Sequence, residues 1–121
     1  MVSIPPFLLR RLYVKGSLRR TEHGFEFQLR NQLGSGYARQ MLPLKVDDRE
    51  VPLENCSFLV DGTETPFVRI TPERPFTLAL NRTTTVKVRG VTLEPGAHKI
   101  TVGFVVQGFG ALSFDFTEVV S

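Results

Sequence analysis

The chain has 121 residues, which suits one domain able to bury roughly two-thirds of its unfolded surface without disulfides or a structural metal. Its single cysteine excludes an internal disulfide and suits a reducing compartment, and no apolar run approaches the roughly 20 residues of a membrane helix. The net charge of +3 is uneven: residues 1–45 carry eight Lys/Arg against two acids (+6), and residues 46–121 carry seven against ten (−3). Such a split suggests a basic face towards a partner or an anionic ligand, although a solvated strand surface explains it as well. No RNP-type aromatic motif, zinc-ligand set or basic helix points to nucleic acid. Met1–Leu9 lacks the basic start, apolar stretch and small-residue cleavage site of a secretory signal, so a cytoplasmic protein with no membrane association is expected.

In chain order, residues 1–7 read as an extended lead-in, because Pro5 and Pro6 disfavour helix. Leu12, Val14, Gly16 and Leu18 alternate with Tyr13, Lys15, Ser17 and Arg19, the period of a half-buried strand with a basic outer face. Thr21–Gly24 turns the chain, with Gly24 able to take a positive φ. Phe25, Phe27 and Leu29 then alternate with polar residues to complete a hairpin. Asn31–Gln40 reads as a polar loop. Its Gly34-Ser35-Gly36 is no phosphate cradle, since no Gly-Lys-Ser/Thr follows and no helix is signalled.

Leu42, Leu44 and Val46 mark a third strand. Asp47-Asp48 and Asp61-Gly62 are paired turn signals fourteen residues apart, because Asp bonds its own backbone and Gly tolerates the left-handed region. Cys56, Phe58 and Val60 share the parity of a buried strand face, which makes the cysteine a small core residue. Phe67 and Ile70 punctuate a proline-rich crossing from Thr65 to Pro75, and Phe76, Leu78 and Leu80 mark the next strand. From Thr83 to Gln107 a strand, a compact loop and a second strand follow. Val86, Val88, Ile100, Val102, Phe104 and Val106 lie on one face, with Pro95-Gly96 turning the corner and Leu93 tucked beneath it. Gly108-Phe109-Gly110 leads into Leu112, Phe114 and Phe116, again alternating with polar residues. About eight strands, frequent turns and no amphipathic helix define an all-β, single-domain antiparallel sandwich over residues 1–121, jelly-roll or immunoglobulin-like.

Chemistry is sparse. His23 sits in a turn, and His98 lies at a strand end on the core parity, where a hydrogen-bonded structural role fits. Neither has metal-ligand spacing to other His, Cys or carboxylate residues, and no nucleophile has an evident base. No catalytic, cofactor-binding or metal residue is therefore expected on this chain. The aromatic and arginine residues that the core parity leaves free are the candidates for a partner interface: Phe7, Arg10, Arg11, Tyr13, Tyr37, Arg39 and Phe109.

Several stretches resemble the small β subunit of bacterial C-glycoside deglycosidases: Phe7–Leu18, Gly24–Phe27 with Leu29–Asn31, Pro43–Asp47, and Leu93–Ile100. The Leu-Tyr-Val-Lys-Gly-Ser-Leu segment from Leu12 to Leu18 is the most specific of them. The resemblance implies a sandwich that binds and stabilises a larger α subunit, a sugar-phosphate-isomerase-like barrel holding a divalent metal, expected to be manganese. That complex would be an α/β hetero-oligomer cleaving the C–C bond between a 3-oxo-sugar and a flavonoid-type aglycone, with this subunit inactive alone. The alternative is a free-standing carbohydrate-binding or protein-interaction sandwich. For sugar binding, the absence of Trp and the presence of only two Tyr leave a thin stacking platform.

Overall fold

Two tight hairpins show how local chemistry sets the register. β4 (Lys45–Val46) and β5 (Arg49–Glu50) are joined by Asp47 and Asp48, both at positive φ (50° and 69°). β6 (Cys56–Val60) and β7 (Thr63–Pro66) are joined by Asp61 and Gly62, also at positive φ (49° and 82°). Two consecutive left-handed residues match the twist of the flanking strands, and Asp and Gly enter that region at low cost. Both turn expectations hold.

The computed structural model describes residues 4–121, so the first three residues of the expected lead-in lie outside it. The remaining strands are β1 (Arg19–Arg20), β2 (Gly24–Arg30), β3 (Gly36–Met41), β8 (Phe76–Leu78), β9 (Thr83–Arg89), β10 (Gly96–Val106) and β11 (Gly110–Val120). One antiparallel sheet runs β1-β2-β9-β6-β7. In the other, β11 lines one side of β10, while β4 and β3 share its opposite side and carry β5 and β8 outside them. The β9–β10 segment crosses from one sheet to the other, the expected corner, with Leu93 buried and Gly96 at φ +126°.

The alternating apolar residues meet between the sheets. Phe25, Phe27, Leu29, Phe58, Val86 and Val88 face Ile100, Val102, Phe104, Val106, Leu112, Phe114 and Phe116, all buried. Phe27 meets Phe116 edge-on across the layers at 5.1 Å, and Phe58 stacks on Phe76 at 4.3 Å. Each such side chain contributes about 1.5–3 kcal/mol by leaving water. The all-β sandwich is therefore the fold.

Four local expectations are corrected. Pro6 does not bar a helix: it begins one, α1 (Pro6–Leu9), because the N–H it lacks is one that a first turn leaves unpaired. The regular strand expected from Leu12 to Leu18 is replaced by a 3-10 turn over Arg10–Leu12, a lone bridge from Tyr13 to Leu29, and a bend at Gly16 (φ +85°). Ser17 Oγ accepts from Gln28 N and donates to Val14 O, which holds that irregular path on β2 while Leu12 and Leu18 still reach the core. Gly24 is not needed for a positive φ. It lies inside β2, where a Cβ would overlap the Val88 carbonyl of β9.

The polar loop expected over Asn31–Gln40 contains β3. Its pattern was hidden by a β-bulge: Val105 pairs with Gln40 and Val106 with Ala38, so Arg39 is extra and both Arg39 and Gln40 face out.

Candidate functional site

The proposed interface residues divide into two groups. Arg10 donates from Nε to the Asp115 carbonyl at 2.8 Å, so together with α1 it covers the free edge of the eleven-residue β11. Unpaired edges invite association, and such covers suppress it. Tyr13 stacks on Phe116 at 3.6 Å and donates its hydroxyl to Glu118 at 3.0 Å. Burial first, and the Glu118 carboxylate second, push its phenol above the ordinary value. Phe109 is half-buried and packed on the core rather than displayed. Parity left Tyr13 and Phe109 free for a partner, but the core takes up both.

Phe7 (64 % exposed) and Arg11 stand outward on and just after α1, beside β11, while Tyr37 (52 % exposed) and Arg39 stand outward on β3, across β10. The seven residues do not form one patch.

The titratable groups close on one another. His98 Nδ1 lies 2.7 Å from an Asp47 carboxylate oxygen and Nε2 lies 2.6 Å from the Glu94 carbonyl. With acceptors on both sides, each ring nitrogen is best protonated, and the imidazole is held above its usual value, by Asp47 first and Glu94 second. Asp47 also accepts from Lys99 N at 2.9 Å, the main reason its carboxyl titrates low, with His98 next. This cluster pins the β9–β10 corner to the β4–β5 turn, the structural role expected of His98.

Glu64 accepts from Ser57 Oγ at 2.7 Å, which lowers it most, and pairs with Arg89 at 2.8 Å and Lys87 at 3.7 Å. Cys56 is buried, and burial pushes its thiol up to about 12. Among the described residues no group of three or more His, Cys, Asp or Glu could hold a metal, and no helix is long and apolar enough to cross a membrane.

One opening is apolar. At one end of the sandwich the loops 31–36, 79–83 and 107–109 surround a cavity of about 140 Å³ between the sheets. Its walls include Leu29, Ala38, Met41, Phe104, Val106 and Leu112, and Phe109 folds into it from the β10–β11 hairpin. Asn31 builds the mouth. Its Nδ2 donates to the Gly34 and Leu78 carbonyls at 2.7 and 2.8 Å, and its Oδ1 accepts from Leu33 N and Gly34 N. Asn followed three residues on by Gly is an Asx-turn signal, the one local clue to this mouth in the sequence. Ser35 Oγ accepts from Leu80 N at 3.1 Å and ties the two loops together. Leu33, Tyr37 and Leu80 are consequently left exposed around that end. His98 sits at the opposite end of β10.

Fold and site together define an all-β sandwich domain whose His98–Asp47 and Glu64 clusters are internally paired and which opens an apolar mouth at one end. The chain belongs to the family described as hydroxymethylglutaryl-CoA reductase, N-terminal domain, whose model matches residues 8–121. A search of curated proteins finds no match to it.

The family match overturns the resemblance to C-glycoside deglycosidase β subunits, and with it the carbon–carbon lyase role and the flavonoid glycoside substrate. The stretches behind that resemblance are short helix, strand and turn patterns that this sandwich uses for its own geometry. Leu12–Leu18, the most specific of them, is spent on the Tyr13 bridge and the Gly16 bend. The barrel-type α subunit and its manganese came in with that resemblance, and no residue of this chain carries them independently.

Proposed function

We propose that this chain is a non-catalytic docking domain of a hydroxymethylglutaryl-CoA reductase, meeting the catalytic polypeptide through its loop end. The observation that carries the reading is the family match across residues 8–121. Two structural features support it. The paired state of His98, Asp47 and Glu64 and the raised thiol of Cys56 leave no nucleophile beside a base among the described residues. The apolar rim of Leu33, Tyr37 and Leu80 offers anchors of the kind that protein interfaces bury, with Arg39 beside them. The lone buried Cys56 fits a reducing, cytoplasmic setting.

The test is to purify the chain and a reductase catalytic polypeptide from the same genome, separately and mixed, and to follow size-exclusion chromatography with light scattering. A stable mixed species is expected, with hydroxymethylglutaryl-CoA reduction absent from this chain alone. Leu80→Asp, at a half-exposed position (50 %), should abolish the mixed species while leaving the thermal midpoint of the chain unchanged. Two independent peaks for the wild-type proteins would rule the reading out.

A further inference from the structure

Beside the β3–β8 edge of the sandwich, three arginines border one depression of about 390 Å³. Arg69 ends the 3-10 turn Phe67–Arg69, between the buried anchors Phe67 and Ile70. Arg74 closes a turn in which its N–H donates to both the carbonyl (3.0 Å) and the hydroxyl (3.2 Å) of Thr71. Arg82 follows Asn81, itself at φ +62°, and lies over the Phe76 ring at 5.6 Å. Phe76 is stacked on Phe58, so the platform beneath that guanidinium is fixed by the core.

The charge of this trio is not answered within the chain. Arg10, Arg19, Arg89, Lys87 and Lys99 each have a carboxylate within 4.0 Å, but among the described residues Arg69, Arg74 and Arg82 have none. Glu73, on the same turn as Arg74, is exposed and does not line the depression. Arg82 donates from one terminal nitrogen to the Thr77 carbonyl, yet its Nε is buried with no hydrogen-bond partner. A buried donor left unpaired is rare, and three like charges gathered without a counter-charge repel one another. The repulsion is relieved by an oxyanion seated against the three arginines at the depression.

We propose that this depression binds a phosphate-class anion, either free phosphate or a phosphate ester. Guanidinium forks match the paired oxygens of phosphate, and a dianion balances three cations better than a single carboxylate does. The volume leaves room beyond one phosphate for the rest of an ester. The depression adjoins the docking rim, sharing Arg82 with the cavity wall and Thr77 with the Tyr37 pair, but anion binding by the isolated chain is read without the reductase polypeptide, so the two proposals fail separately.

The test uses the isolated chain at low salt, titrated with inorganic phosphate, pyrophosphate and phenyl phosphate, and with hexanoate as a carboxylate control, by amide-resolved NMR. Saturable shifts centred on residues 65–82 are expected for the phosphates, with hexanoate at least about tenfold weaker. Tighter binding of phenyl phosphate than of inorganic phosphate identifies an ester as the ligand class, and equal binding identifies free phosphate. Arg69→Gln and Arg74→Gln, at exposed positions, should each weaken pyrophosphate by about tenfold with an unchanged thermal midpoint. Arg82→Lys, which keeps the charge and removes the guanidinium fork, should weaken it as well. The absence of saturable shifts, or undiminished affinity in the Arg69→Gln/Arg74→Gln double variant, would overturn the proposal.

Discussion

Gly24 is the position where a single methyl group should do the most damage for its size. A Cβ there would overlap the Val88 carbonyl oxygen and lie 2.9 Å from its carbon and 3.1 Å from the Arg89 Cα, all backbone atoms of the neighbouring strand. A side chain in the way can rotate, but a backbone in a ladder cannot, so β2 and β9 must part where Gly24 pairs with Arg89. The adjoining turn is disturbed too, because Gly24 N donates to Thr21 Oγ1 and its carbonyl accepts from Thr21 N. Overpacking costs about 1–3 kcal/mol and a lost ladder hydrogen bond about 1 kcal/mol, which together give Gly24→Ala a destabilisation of about 2–4 kcal/mol.

Gly16→Ala is the matched control. Its φ of +85° strains an alanine, but nothing lies within 4 Å of the added methyl, so only the left-handed penalty of about 1–2 kcal/mol applies. At about 4 °C per kcal/mol for a chain of this size, the thermal midpoint should fall by about 8–16 °C for Gly24→Ala and about 4–8 °C for Gly16→Ala. Urea and thermal unfolding followed by circular dichroism would measure both. A Gly24→Ala protein as stable as the Gly16→Ala protein, or more so, would refute the close-approach reasoning.

Other expectations follow from the same geometry. His98 titrates above its unfolded value, so its contribution is complete below about pH 6.5 and is lost as pH rises through the folded value. Asp47 titrates below its unfolded value, so its share is present above about pH 4 and is lost as pH falls through the folded value. Between about pH 6 and 8 the wild type should therefore lose stability relative to His98→Gln, and parallel urea midpoints over that range would contradict the pairing. Cys56, buried with its thiol pushed up to about 12, should resist a thiol reagent in the native protein and react fully in denaturant; rapid native labelling would place it at the surface. Tyr13→Phe should cost about 1 kcal/mol in urea unfolding, since Glu118 keeps the Gly16 N–H at 2.6 Å while losing the phenol; no measurable cost would mean the hydroxyl bond is idle.

Much of the sandwich could be read from residue order because its causes are local. Asp47-Asp48 and Asp61-Gly62 carry their turn conformations within two residues, and the parity of Phe25, Phe27, Leu29, Ile100, Val102 and Phe104 states which face is buried. The errors occurred where a nonlocal partner decides. Pro6 is compatible with the start of α1, but α1 packs on β11, which lies about a hundred residues away in the chain, and the alternation of β3 is broken by the bulge at Arg39. Parity alone leaves Tyr13 and Phe109 free and cannot register that Tyr13 stacks on Phe116 or that Phe109 turns inward. The cavity mouth is illegible because it is assembled from loops far apart in the chain, and the arginine trio, though within fourteen residues, is illegible because no spacing rule joins residues 69, 74 and 82. Short strand-and-turn stretches also misled the family assignment, which the match over residues 8–121 corrects.

The central claim is that the loop end is the working face of a reductase domain. Amide hydrogen exchange of this chain, with and without the reductase catalytic polypeptide, tests it most directly. The account predicts added protection in residues 31–36, 79–82 and 107–110, with the β4–β5 turn and the corner around His98 unchanged. Protection confined to that opposite end, or no change anywhere, would contradict it.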